Sequence, residues 1–230
     1  MSNLVKLEAI IEINFKNKNL FQQALTHRSY LNEHPEFKSG HNERLEFLGD
    51  AVLEIVVTEH LFVNFPDTPE GDLTNWRASL VNAKMLYHVA SQLGVENYLL
   101  LSKGEAKDKN TKARQYILAN SIEAIIGAIY LDQGMEVAKG FIIKNIVSQL
   151  DEILKNQTYL DPKSRFQELA QEKEGVTPVY KTIKEEGPDH EKLFTVGLYL
   201  EDILIAEGDG LSKQEAQVKA AEAGLKKKSW

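Results

Sequence analysis

His41-Asn42-Glu43-Arg44-Leu45-Glu46-Phe47-Leu48-Gly49-Asp50 opens a helical run that reads on to about Phe65, where Pro66 stops it. Wound at about 100° per residue, this run gathers Glu43, Glu46, Asp50 and Glu54 into one narrow sector. Leu45, Leu48, Val52, Ile55 and Val56 fall roughly opposite. Like charges stacked at i,i+4 cost a helix about 0.2–0.5 kcal/mol per pair. An acid stripe opposite a buried face is therefore compatible with a bound cation or with a plain solvated face. Phe47, taken alone, reads as an ordinary core aromatic.

On the N-terminal side, Leu4–Ile11 is short and amphipathic, and Asn19–His27 carries Leu20, Phe21 and Leu25 at helical spacing. Arg28-Ser29-Tyr30 and a loop from Asn32 to Gly40 follow. On the C-terminal side, the turn cluster Pro66–Gly71 leads into a second long helix from about Asp72, with Gly94 as its C′ residue. Lys103 to Arg114 is polar and reads as mobile. Ala113–Leu131 is helical, with Leu118, Ile122, Ile125, Ile126 and Ile129 on an apolar face, and Met135–Leu154 forms the last helix of an all-α unit.

Beyond about residue 155 the pattern changes. Residues 156–162 read as a linker of low hydrophobicity. Lys163–Glu174 is a helix ended by Gly175, and strands are expected at Pro178–Glu185, His190–Leu200 and Ile203–Glu207. In the middle one, Phe194, Val196, Leu198 and Leu200 alternate with the period of two that a half-buried strand needs. Gly208-Asp209-Gly210 reads as a turn, and Ser212 caps a final helix to about Lys227. The expected organisation is an all-α domain over 1–155, the linker, and a small α-β-β-β-α domain over 163–230 with helices on one sheet face.

Composition narrows the function classes. The 230 residues contain no cysteine, which excludes disulfides and thiolate metal sites and fits the cytoplasm. No stretch reads as a signal peptide or a membrane span. The six histidines show no zinc-binding spacing and read as caps or surface groups, and Lys226-Lys227-Lys228 as a solvated tail. Net charge is −7, and both parts of the chain are acidic. Any nucleic-acid contact must therefore come from local clusters.

A second pair, an amide and an acid, sharpens the reading of the stripe. Asn120 and Glu123 stand at i,i+3, and Gly127 lies one turn further on the same face, where another helix can approach closely. If the central helix packs there, Glu46, Asp50, Asn120 and Glu123 line one oxygen-rich pocket. Such a pocket suits Mg²⁺, which takes oxygen ligands at about 2.0–2.1 Å. Two such ions can activate a water and stabilise the leaving oxygen in phosphodiester hydrolysis.

His41–Asp50 resembles the signature of bacterial ribonuclease III, the double-stranded-RNA endonuclease. Ala24–Tyr30 resembles that family's early motif. Glu70-Gly71-Asp72 with Arg77–Val81 resembles its third motif, and Ile117–Ala124 with Ile126-Gly127-Ala128 its fourth. The α-β-β-β-α tail resembles the family's double-stranded-RNA-binding domain. The resemblance implies that Glu46, Asp50 and Glu123 are metal-binding catalytic carboxylates, with Glu43 and Glu70 in supporting acidic positions. It implies a homodimer in which Phe47 inserts into the partner. In the tail it implies minor-groove contacts from Ser164, Gln167, Glu168 and Gln171, a second from the Pro188-Asp189-His190 loop, and a phosphate contact from Lys213, where Gln214 replaces a usual second basic residue.

One catalytic position departs from the family pattern: Asn120 stands where Asp is usual. An amide oxygen still ligates Mg²⁺ but brings no charge. A natural variant that tolerates Asn, an engineered inactivating change and a chain that binds without cutting all fit, and the intact remaining carboxylates favour the first. The resemblance thus implies a Mg²⁺-dependent endonuclease, with Mn²⁺ as a possible substitute. It would leave 5′-phosphate and 3′-hydroxyl ends with short 3′ overhangs on duplex RNA, in ribosomal RNA and mRNA processing. The alternative is a double-stranded-RNA-binding protein whose cleavage is crippled by Asn120. A purely helical scaffold would leave the tail unexplained.

Overall fold

The computed structural model describes residues 2–108, 111–156, 159, 161–188 and 192–230. They form two compact units, Met1–Tyr159 and Leu160–Trp230. The first is helical, comprising α1 (Ser2–Ile11), α2 (Lys18–Ala24), α3 (Arg28–Glu33), α4 (Glu43–Asn64), α5 (Glu70–Val81), α6 (Ala83–Gln92), α7 (Lys103–Lys107), α8 (Lys112–Gln133), α9 (Met135–Asn145) and α10 (Leu150–Asn156).

At its centre α4 packs along α8. Ile117, Leu118, Ile122, Ile125, Ile126 and Ile129 are all buried, so α8 is apolar nearly all round, as a core helix must be. From α4, Leu45, Val52, Leu53, Val56, Val57 and Leu61 enter the same core. Ile55 does not. It lies at the edge of the apolar sector and is 55% exposed. The first turn of α4 is fixed by Asn42, which is buried. Its carbonyl accepts the N–H groups of Leu45 and Glu46 at 2.9 Å, while its own N–H donates to the Thr26 carbonyl at 2.9 Å.

Several boundaries differ from the sequence expectation. The long helix from Asp72 is two helices, because Asn82 takes an extended backbone (φ −73°, ψ 158°) and serves both ends. Its amide donates to the carbonyls of Ala78 and Ser79, and its oxygen accepts the Met85 N–H. The stretch read as mobile contains α7, capped by Ser102 and held where the Lys103 N–H donates to the Glu33 carboxylate at 3.2 Å. The run Met135–Leu154 is divided by a 3₁₀ turn at Val147–Gln149.

The second unit comprises α11 (Pro162–Glu174), β1 (Val179–Glu186), β2 (Leu193–Leu200), β3 (Ile203–Gly210) and α12 (Lys213–Lys228). The three strands form an antiparallel sheet in the order β1-β2-β3. Phe166 and Ala170 from α11, Leu198 and Leu200 from β2, Ile205 from β3 and Ala220, Ala221 and Leu225 from α12 make its core. Gly208 and Gly210 do not turn the chain; they belong to β3. A Cβ on Gly208 would stand 2.2 Å from the Ala220 nitrogen, and one on Gly210 2.5 Å from the Ala216 nitrogen. The glycines let α12 lie against the strand.

Candidate active site

Two glycines set the geometry of the acids. A Cβ on Gly49 would stand 1.7 Å from the Glu123 carbonyl oxygen, and one on Gly127 would stand 2.2 Å from that of Leu45. Here the backbones of α4 and α8 touch. Gly49 sits between Glu46 and Asp50, so the contact that excludes its side chain turns those two carboxylates toward Asn120 and Glu123.

The electrostatics record that closeness. Burial pushes the Glu123 carboxyl up to about 8, with the charges of Asp50 and then Glu46 adding to the shift. Burial also raises Glu46; a hydrogen bond from Asn120 opposes the rise, and Glu43 and Asp50 add to it. The Asn120 Nδ2 donates to Glu46 Oε1 at 2.8 Å. An ionised carboxylate only accepts, so an amide N–H is a partner that Asp could not supply. A cavity of about 410 Å³ opens beside them, with Arg28, Glu43, Glu46, Tyr116 and Asn120 in its wall.

Among the described residues, no three acidic or histidine side chains converge tightly enough to form a ready metal cage. The donor chemistry nonetheless suits a hard cation. Glu46, Asp50 and Glu123, whose charges act on one another, supply carboxylate oxygens and negative charge, and Asn120 adds an amide oxygen.

The remaining acids are divided. Glu43 stays near the group, with Arg28 Nη1 3.4 Å from its Oε1. Glu54 is taken up by Arg77, Nε to Oε2 3.2 Å. Glu70 begins α5 and lines a separate cavity of about 220 Å³ with Thr58, Phe62 and Arg77. Phe47 is 81% exposed, against its reading as a core aromatic. At about 100° per residue it falls beside the acid stripe and not on the apolar side. His27 is a cap: its Nδ1 accepts the Ser29 N–H.

In the second unit, Ser164, Gln167, Glu168 and Gln171 are exposed along α11, opposite the buried Phe166 and Ala170. Lys213 is the first residue of α12 and also exposed. Asp189 and His190 lie outside the described residues; Pro188 is exposed.

Spacing alone does not mark Asn42 as an anchor or Gly49 as a contact. Gly49 does carry a signal, since glycine inside a helix costs about 1 kcal/mol against alanine and its presence asks for a close neighbour.

Residues 17–150 match the family described as Ribonuclease-III-like, and residues 162–228 match the double-stranded RNA binding motif. The chain is 45% identical over 223 residues to Ribonuclease 3 of Carboxydothermus hydrogenoformans, covering 97% of this chain and 94% of that protein. It is 44% identical to Ribonuclease 3 of Enterococcus faecalis, covering 92% and 91%. Among solved structures it resembles the nuclease domain of ribonuclease III from Campylobacter jejuni at 46% identity and TM-score 0.56, covering 63% of this chain and 97% of that one. A second structure of that domain, described by its flexibility in a region involved in dimer formation, gives a TM-score of 0.54 with 61% and 96% covered.

Proposed function

Because the chain belongs to the ribonuclease III family of endoribonucleases, we propose that it hydrolyses phosphodiesters of double-stranded RNA in a Mg²⁺-dependent reaction, with Glu46, Asp50 and Glu123 as its catalytic carboxylates. The observation that carries this reading is the contact at Gly49 and Gly127, which brings acids from two helices within reach of one another's charge.

Glu46, Asp50, Glu123 and the amide oxygen of Asn120 would hold the ions, and Glu43 would support them. Bound Mg²⁺ or Mn²⁺ supplies Lewis-acid activation of water and of the phosphoryl group. The protein's own part is to present these oxygens in a fixed array. With a carboxyl near 8, Glu123 keeps a proton at neutral pH, which it would give up on holding a cation. The second unit binds the duplex. A-form RNA shows a shallow minor groove that neutral polar groups such as Ser164, Gln167 and Gln171 can read, which reconciles RNA binding with an acidic chain.

Two copies would bring two sites to one duplex, with Phe47 in the contact. That Phe47 is exposed supports this. Products with 5′-phosphate and 3′-hydroxyl ends, and a cytoplasmic role in ribosomal RNA and mRNA processing, complete the proposal. Among the described residues no helix is long and apolar enough to cross a membrane.

The test incubates a labelled RNA duplex with Mg²⁺ or Mn²⁺ and the unaltered chain, Glu123→Gln or Asn120→Asp. Cleavage by the unaltered chain that vanishes in Glu123→Gln is expected. Binding without cleavage, with activity appearing only in Asn120→Asp, would favour the RNA-binding reading instead.

A further inference from the structure

Three side chains from separate stretches of the second unit meet over one ring. In the β1–β2 register Glu185 stands opposite Phe194. Lys213 places its Nζ 2.7 Å from Glu185 Oε1 and 5.5 Å from the centre of the Phe194 ring. Lys192, just ahead of β2, places its Nζ 3.4 Å from Glu185 Oε2 and 6.0 Å from the same centre. Each oxygen of one carboxylate thus faces a different ammonium, and the negative face of the ring favours both cations.

We propose that Lys192 and Lys213 form a two-lysine grip for one backbone phosphate of duplex RNA, and that Glu185 is its resident competitor. The proposal rests on the RNA-binding reading of this unit and adds Lys192 and Glu185 to it. A phosphodiester carries two anionic oxygens on one atom, as a carboxylate does, so an arrangement that satisfies Glu185 also satisfies a phosphate. All three groups are reachable, with side-chain exposures of 34% for Lys192, 35% for Glu185 and 56% for Lys213. Gln214 withholds a second cation in sequence after Lys213; Lys192 provides one in space. The lysines already hold the Glu185 carboxyl below the usual range, chiefly through the hydrogen bond from Lys213. A phosphate must displace that carboxylate, which weakens net binding and leaves the grip with one net positive charge instead of two.

The experiment is fluorescence anisotropy of the full chain with a labelled blunt RNA duplex in EDTA, over a salt series. Glu185→Gln is expected to bind several-fold tighter with a steeper dependence of log K on log salt. Lys192→Ala should bind several-fold weaker, with a slope shallower by about 0.9, because Lys213 is then offset by Glu185 and no net positive charge is left to neutralise the phosphate. Lys192→Arg keeps the charge and should bind like the unaltered chain, which separates loss of the cation from loss of fold. In a Lys192→Ala, Lys213→Ala background, Glu185→Gln should have no effect. Unchanged affinity and slope in Lys192→Ala overturn the grip, and weaker binding in Glu185→Gln overturns its role as competitor. An unaltered chain that binds no duplex would instead sink the RNA-binding reading and take the grip with it.

Discussion

The hydrogen bond from Asn120 to Glu46 substitutes an amide dipole for a charge at the centre of the acid group. Asn120→Asp would remove the donor and set a fourth carboxylate against Glu46, Asp50 and Glu123. Without metal the variant should melt at lower temperature. With Mg²⁺ it should bind tighter by about tenfold or more, because ligand charge sets affinity for hard cations. Calorimetric titration reads the second effect, and equal Mg²⁺ affinity in both proteins would remove Asn120 from the ligand set. Glu123 gives a pH test of the same cluster. Its carboxyl titrates from 4.5 in the free residue to about 8 in the fold. Between those values the native protein keeps a proton that the unfolded chain has released. Stability therefore falls as pH rises through the window, and the whole penalty is present above it. Glu123→Gln stays neutral throughout, so its gain in Tm in EDTA should be large at about pH 9 and small at about pH 5. A gain independent of pH would mean that the charge is not the cause.

Among the elements, the pairing of α4 with α8 is the one on which the site depends. Gly49→Ala forces a methyl group to within 1.7 Å of a carbonyl oxygen on α8, and backbone cannot swing aside as a side chain would. The helices must separate, at a cost of about 1–3 kcal/mol or more, and duplex cleavage should fall with stability as Glu46 and Asp50 leave Glu123. Gly71→Ala is the control. Its Cβ would meet nothing within 4 Å in the first turn of α5, so urea unfolding should show no loss and a gain of up to about 1 kcal/mol. Much of this element level is legible in the sequence. Apolar spacing locates α4 and α8, and Gly127 announces a close approach. The break at Asn82 is not legible, because the apolar positions from Leu73 to Tyr87 continue in helical phase across it, and only the doubled use of one amide reveals two helices. Nor is the true end of β3. Gly208 and Gly210 have turn composition, but their role is set by α12, whose packing against the strand no local pattern contains. In the site, the i,i+4 spacing pairs Glu46 with Asp50 and the i,i+3 spacing pairs Asn120 with Glu123, but that the two pairs meet depends on the contact of α4 with α8 at Gly49 and Gly127. The partner of Glu54 depends on how α5 folds back, and no spacing within α4 contains that.

At the scale of the molecule, α4 has more than an acid edge and a core edge. Between them runs an exposed apolar strip of Phe47, Ile55 and Phe62, at 81%, 55% and 74% exposure. Scattered apolar surface is ordinary, but large side chains in one strip along a central helix mark an interaction surface. The sequence pattern conceals it, because Phe47 and Ile55 count toward the core by type while their angular positions lie outside the buried sector. A second copy of the chain is the occupant that fits the proposed function, since a duplex offers two strands and each copy holds one set of acids. An aromatic that fills a pocket at such a contact contributes about 2 kcal/mol or more, equivalent to roughly thirtyfold in dissociation constant. Phe47→Ala should therefore shift the chain from dimer toward monomer in sedimentation velocity at micromolar concentration. Its melting temperature as a monomer should change little, because the side chain leaves no cavity in the core. Duplex cleavage should fall at low protein concentration and recover as concentration rises, which a defect in the acids themselves would not do. If the unaltered chain sediments as a monomer, Phe47 and the strip beside it need another partner. If it is a dimer that Phe47→Ala leaves intact, the contact lies elsewhere on the helical unit.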